Sequence, residues 1–488
     1  MPFAIAFPSG VSVALLAAFA GLGIFACAAT TFEKSPGITA AALVHAAAGV
    51  LAVLAADMIT LLIAWELLTF SAYFIIRTRS RRLPTAGSPQ AERASVWYIA
   101  AQICAAALFF VAIVLHGVRG GSVMIEALRP EARWFMFVAI LIKTAMMPLH
   151  GWLVGGYTEA SPTGGIVLSV YATKVGVYTA ARLIEVSPGS FPWLSYIGAV
   201  VAVVAVANAL MQRSARRLLS YHIISQVGYM LVGVGAVSVA NNPGAGAVAG
   251  LFHAVNHIIY KALLFMAAAA VMHRLGHDDL RRMGGLRRKM PLTFVCAAVG
   301  AAAISGVPFT SGYASKELLK QVADPIPGLL LAVASAGTTL SFIKFVYLVF
   351  VRATPGGADQ SAPTYHQPRA TPPLRVAMVT LAALSILIGT VPPIVPGVPA
   401  IDYYKPSALL MGVLPLVFGA AVWAAFRKHI VSRLDLHVTR TPVRTTLLAV
   451  TRRPLRLLRQ THRLNPQLSV GIAVSAAVIL TFLLVLFA

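Results

Sequence analysis

Apolar residues run in long unbroken stretches, and the polar residues gather between them. The runs fall at 8–30, 37–56, 58–77, 94–116, 133–154, 161–185, 191–212, 217–239, 246–273, 291–322, 327–351, 374–397, 404–426 and 468–488. A helix needs about 20 apolar residues to cross a bilayer, so each run reads as a transmembrane helix. Run 291–322 is too long for one straight span, and SGVPFTSG (305–312) interrupts it. It is either two crossings or one discontinuous helix.

Charge decides between them. Take one crossing there, with the Arg-rich stretch after 58–77 (Arg77, Arg79, Arg81, Arg82, Arg93) in the cytoplasm. Then Arg213, Arg216, Arg217, the loop 274–290 and the segment 427–467, with ten Lys and Arg, face the same side. The other side carries little beyond Arg119, Arg129 and Arg133. Two crossings would place 427–467 outside, against the tendency of cytoplasmic loops to collect Lys and Arg. The expected fold is an all-α polytopic membrane protein of about 14 transmembrane helices, in the plasma membrane of a bacterium.

This topology contains a repeat. An N-terminal helix (1–36) precedes five helices (37–185) and then five more in inverted orientation (191–351). Two C-terminal helices (352–426), a basic amphipathic cytoplasmic segment (427–467) and a last helix (468–488) follow. In each quintet the fourth helix carries a lysine near a proline, Lys143 with Pro148 and Lys316 with Pro308. Inverted repeats with helices broken at mid-membrane are a transporter architecture, with ion sites at the breaks.

Composition agrees. Of 488 residues, 58% are hydrophobic and 11% charged, which excludes an ordinary soluble enzyme. The net charge of +24 would mark a nucleic-acid binder in a soluble protein; here it follows from topology, and no nucleic-acid partner is expected. Cys27, Cys104 and Cys296 are scattered and form no metal-ligand spacing, so disulfides, iron–sulfur clusters and structural zinc are not expected. The opening MPFAIAFPSG lacks the basic region of a cleaved signal, so its helix is read as retained.

The ionisable residues are not scattered at random. Arginine populates the loops, whereas five of ten lysines, Lys143, Lys174, Lys261, Lys316 and Lys344, lie within apolar runs. Glu66 is the one acid deep inside a helix on both flanks. Such groups are costly at membrane depth and are functional by default. A buried lysine can give up its proton, which arginine practically never does. His253, His257 and Lys261 recur at i, i+4, i+8 and therefore stack on one helical face. Histidine titrates near neutrality and can relay protons. The two-histidine spacing also resembles a metal site, but no HExxH glutamate accompanies it, and neither metal nor cofactor is expected.

Plainer roles exist. Lys344, near a helix end, could snorkel; Lys174 could be a structural donor; Glu66 and Lys143 could form a static ion pair. His45 and His222 could be packed core histidines. Glu159 and Glu317 near helix ends or breaks fit caps.

These motifs resemble the antiporter-like membrane subunits shared by respiratory complex I, Mrp-type sodium/proton antiporters and energy-converting hydrogenases. The likeness rests on AWELLTFSAYFII (64–76), KTAMMPLHGWL (143–153), EASPTGG (159–165), ATKVGVYTAARL (172–183), HAVNHIIYKALLFMAAAAVMHRLGHDDLRRMGGLRRKMP (253–291) and SGVPFTSGYASKELL (305–319). MQRSARRLLSYHIISQVGY (211–229) looks closest to the Mrp D-type subunit. The chain departs from the pattern at Val154 and Ser214, and one apolar run (8–30) precedes the first repeat where the resemblance implies about two helices more.

The resemblance implies a proton-translocating subunit of a multisubunit complex, with other membrane subunits, H+, Na+ and lipid as partners. Glu66 would modulate Lys143, Lys174, His253, His257 and Lys261 would form the central relay, and Lys316 the exit; Lys344 and His222 are further candidates. Any redox chemistry would belong to partner subunits. The first alternative is a non-redox subunit of a complex I-like or hydrogenase-type redox pump rather than an Mrp antiporter; a stand-alone solute carrier and a non-conducting scaffold in a bicarbonate-uptake assembly are the others.

Overall fold

A computed structural model describes residues 5, 10–30, 35–78, 89–187, 191, 193–236, 244–353 and 371–435. The described residues are almost entirely helical, with three isolated bridges, Ile5–Ala55, Asp57–Met124 and Ser214–Asp279, and no strand. Residues 1–430 form one compact unit. The expected final helix and most of the basic segment, 436–488, lie outside the described residues.

Helices α1 (Val11–Thr30), α2 (Pro36–Leu54), α3 (Met58–Arg77) and α4 (Pro89–Val118) are continuous. The next two runs are broken. The run 133–154 is split into α5 (Pro130–Lys143) and α6 (Gly151–Glu159), and 161–185 into α7 (Pro162–Val170) and α8 (Ala172–Val186). Then come α9 (Leu194–Leu210), α10 (Ala215–Val234), α11 (Ala245–Leu275) and a single turn, α12 (Leu286–Lys289). The run 291–322 is one interrupted helix, α13 (Pro291–Ser305) and α14 (Ser311–Val322). Helix α15 (Pro325–Val346) ends in a π-helical turn at Tyr347–Val351, and α16 (Pro372–Thr390) and α17 (Pro406–Asp435) follow.

Among the described residues, seven helices are long and apolar enough to cross a membrane: α2, α3, α4, α11, α15, α16 and α17. Both quintets run in the same order, three whole helices and then a broken one carrying a lysine. The fifth helices differ, since α7/α8 is interrupted at Tyr171 whereas α15 is continuous up to its π turn.

Helix α11 is the axis of the fold. Its side chains are buried almost without interruption from Gly246 to His273, on the face carrying His253, His257 and Lys261 as on the apolar ones. It packs against α7, α8, α10, α13, α14 and α16. Close backbone approach holds such helices together in a bilayer, where lipid removes the hydrophobic drive. At the α9–α10 crossing, a Cβ added to Gly228 would stand 2.4 Å from the Gly198 carbonyl oxygen.

The second break is fixed by similar constraints. Gly306 ends α13 with φ of +88°, a left-handed conformation that glycine adopts without penalty. Gly312, in the first turn of α14, lies so near α13 that a Cβ would meet the Ala303 carbonyl oxygen at 1.8 Å. Phe309, also left-handed at φ +64°, stacks on Tyr404 with ring centroids 4.8 Å apart.

Candidate functional site

The first charged cluster forms where α5 stops. Lys143 is the last residue of α5, and Trp152 of α6 donates its indole N–H at 3.0 Å to the Ile142 carbonyl, which also accepts the Ala145 N–H at 3.0 Å. Lys143 is fully buried. Its Nζ donates to the Trp65 carbonyl at 3.2 Å and lies 4.8 Å from the Trp65 ring centroid, a cation–π contact. Trp65 is in turn oriented by an indole N–H to Thr179 Oγ1 hydrogen bond of 3.3 Å. Gly176 of α8 packs directly on the Lys143 stem.

Glu66, the neighbour of Trp65, is half-buried, and its Oε1 has no hydrogen-bond partner. Among the described residues no salt bridge joins Glu66 to Lys143, although each lies within the other's electrostatic reach. A static Glu66–Lys143 ion pair is therefore not formed. The two interact through space.

The central cluster lies on α8, α10 and α11. Lys174, in the first turn of α8, donates to the Ser169 carbonyl at the end of α7. It is in electrostatic reach of His257 and Lys261. The i, i+4, i+8 trio behaves unevenly. His253 is engaged on both nitrogens, Nδ1 with Ser315 Oγ at 2.9 Å and Nε2 with Gln226 Oε1 at 3.1 Å. Because an amide oxygen only accepts, Nε2 carries the hydrogen. His257 and Lys261 are fully buried with no partner on either imidazole nitrogen or on Nζ. Phe265 and Phe342 rings flank the Lys261 ammonium, each 5.9 Å away. His222 bonds Ser341 Oγ at 2.7 Å and lies in reach of Lys261, Lys316 and Lys344.

Lys316 closes the second break. From α14 its Nζ reaches back to the end of α13, donating to the carbonyls of Ile304 at 2.8 Å and Ser305 at 3.1 Å, and to Ser335 Oγ at 3.1 Å. The Tyr229 ring lies 5.2 Å from it. A cavity of about 350 Å3 begins at Lys316, Tyr229 and Ser335 and extends to Lys320 and Asp324 at the α14–α15 junction. Glu317 lies inside α14, paired with Lys320, rather than capping a helix end.

Lys344 is not a snorkelling side chain. It is fully buried, and its Nζ donates to the carbonyls of Leu210 at 2.7 Å and Gln212 at 3.2 Å, capping the end of α9. The spacing of the sequence did not single out Gln226, Ser315, Ser335 and Tyr229 as site residues, yet they line the path between His253 and Lys316. Asn256 of α11 is also buried, with both amide atoms unpartnered.

Known proteins share this architecture. A family model described as NADH:quinone oxidoreductase/Mrp antiporter, transmembrane region, matches residues 55–341. NADH-ubiquinone oxidoreductase chain 5 of Cryptococcus neoformans is 28% identical over 341 residues, 63% of this chain and 49% of the relative. Hydrogenase-4 component B of Escherichia coli is 27% identical over 363 residues, 67% of this chain and 52% of the relative. The chain thus spans about half the length of the curated relatives it matches. A chain of the Mrp complex from Dietzia sp. superposes with a TM-score of 0.68 at 22% identity, covering 87% of this chain and 85% of its own length. A chain of the membrane-bound sulfane sulfur reductase, an archaeal respiratory membrane complex, gives 0.71 at 24% identity, with coverages of 89% and 75%. With 55–341 matched, more than half its length, the chain belongs to the NADH:quinone oxidoreductase/Mrp antiporter transmembrane family.

Proposed function

We propose that this chain translocates protons as one membrane subunit of a multisubunit complex in a bacterial plasma membrane, with the 427–467 segment cytoplasmic. The observation that carries the reading is the run of buried Lys and His from Lys143 through Lys174, Lys261, His257 and His253 to Lys316. Several of these groups have nitrogens without partners. A buried polar group left bare costs about 1–3 kcal/mol, so a purely structural cluster would be expected to satisfy them. Water threading between the groups both satisfies them and provides a proton path.

In this mechanism Glu66 tunes Lys143 by charge. The proton then passes to Lys174 and the His257–Lys261 pair, and on through His253 to Lys316. Lys316 releases it into the cavity toward the α14–α15 junction, the end of α15 opposite Arg352 and the arginine-rich loops. Lys344 contributes a fixed charge at the end of α9.

Glu66 also argues for neighbours. It borders a face of α3 on which Ile63, Leu67, Phe70 and Phe74 are exposed. A carboxylate beside lipid is costly, so another membrane subunit covers this face. The relatives named for NADH-ubiquinone oxidoreductase, hydrogenase-4 and Mrp complexes fit such an assembly.

The test is purification of the complex in mild detergent, reconstitution into proteoliposomes and measurement of proton flux with a pH-sensitive dye. Flux coupled to a sodium gradient, or to a redox donor if redox subunits co-purify, supports the reading. An assembled complex that moves no protons under either drive contradicts it.

A further inference from the structure

The path above leaves the imidazole of His45 unused. His45 on α2 is fully buried, its Nδ1 2.8 Å from Ser71 Oγ on α3. A hydroxyl has a single hydrogen, and Ser71 directs its own to the carbonyls of Leu67 at 2.6 Å and Leu68 at 3.2 Å. The serine oxygen must therefore accept from His45, which places the hydrogen on Nδ1 and the lone pair on Nε2. That Nε2 has no hydrogen-bond partner, although it is buried. A histidine kept for packing alone gains nothing from one nitrogen locked as donor and the other left bare.

Its position gives the bare nitrogen a purpose. The His45 ring meets Tyr171 edge-on, with centroids 5.3 Å apart, and Tyr171 is the residue at which α7 and α8 separate. Lys174 follows one turn later, its backbone N–H bonded to the Tyr171 carbonyl at 2.9 Å. Lys143 lies within electrostatic reach of the same ring. His45 thus stands beside the interval between Lys143 and Lys174, which no direct hydrogen bond spans.

We propose that His45 carries the proton between Lys143 and Lys174, an assignment that rests on the proton-translocating reading. Nε2 takes a proton from the Lys143 ammonium through water, leaving a neutral amine and an imidazolium. The Nδ1–H bond to Ser71 holds throughout. Nε2 then passes that proton to the neutral Lys174 amine and returns to its starting tautomer.

The experiment compares proton flux through the assembled complex carrying His45→Asn, Ser71→Ala or Lys143→Ala. Asparagine keeps an N–H where Nδ1–H stands but carries no titratable nitrogen. With the complex assembled, His45→Asn lowers flux by about tenfold or more, and Ser71→Ala lowers it by less by unlocking the tautomer. Parental flux in His45→Asn with none in Lys143→Ala overturns the role of His45 alone. Parental flux in Lys143→Ala overturns this assignment and the wider reading together. Should His45→Asn fail to assemble, Ser71→Ala decides, and parental flux there overturns the proposal.

Discussion

The ammonium of Lys143 lies 4.8 Å from the centre of the Trp65 ring and bonds the Trp65 carbonyl, not the carboxylate of Glu66 next door. A direct salt bridge would hold the proton on Lys143 and pin two helices together. An indole face and one carbonyl steady the ammonium more weakly, leaving Glu66 to act at a distance. The lysine can then be tuned without being trapped.

If Glu66 acts through charge alone, an uncharged isostere should be nearly as harmful as truncation. Glu66→Gln is expected to cut proton flux by about tenfold. Glu66→Asp is expected to keep most of it. Flux assays on vesicles with equal amounts of assembled complex check this, and full activity in Glu66→Gln would exclude the electrostatic role.

Lys344 and Lys143 are both buried lysines, but they should respond differently to arginine. Lys344 caps α9 through two carbonyls and needs only a permanent donor, so Lys344→Arg should retain flux. Lys344→Met should destabilise the subunit by about 1–3 kcal/mol, seen as a lower unfolding temperature. Lys143→Arg should stop flux, because arginine does not release its proton.

The second break tolerates no side chain at Gly312, where a Cβ would collide with the Ala303 carbonyl at 1.8 Å. Gly312→Ala should cost stability at or above the upper end of the about 1–3 kcal/mol usual for overpacking. Loss of the subunit from purified complex, read by quantitative mass spectrometry, is the expected result.

The loop between α4 and α5 should respond to acid. The Glu126 carboxyl is held below the usual range, first by the Ser122 N–H at 2.8 Å and also by His116 at 3.0 Å. A lowered folded-state pKa gives stability that is present above the unfolded value and lost as pH falls through the folded one. Amide exchange at Ser122, corrected for its intrinsic pH dependence, should accelerate below about pH 4. Glu126→Gln should show no such step.

Much of this was legible in the sequence for a physical reason. A charge in an apolar run is rare enough to mark function, and Glu66, Lys143, Lys174 and the i, i+4, i+8 trio on α11 stood out on that ground. The breaks at Pro148 and Pro308 were announced by residues that cannot continue a helix. The break at Tyr171 was not, because LSVYATKV holds neither glycine nor proline. Gln226, Ser315 and Ser335 are short neutral polar residues of a kind common on membrane helices; only packing reveals that they meet His253 and Lys316. Lys344 finds its carbonyls on a helix 134 residues earlier in the chain, a contact invisible to local spacing.

The most direct test of the central claim is proton flux through complexes carrying Lys143→Ala or Lys316→Ala, assayed beside the parent at equal assembly. Each substitution, at opposite ends of the path, is expected to abolish flux while leaving the subunit in its complex. Parental flux in both would show that protons do not travel along the buried lysines.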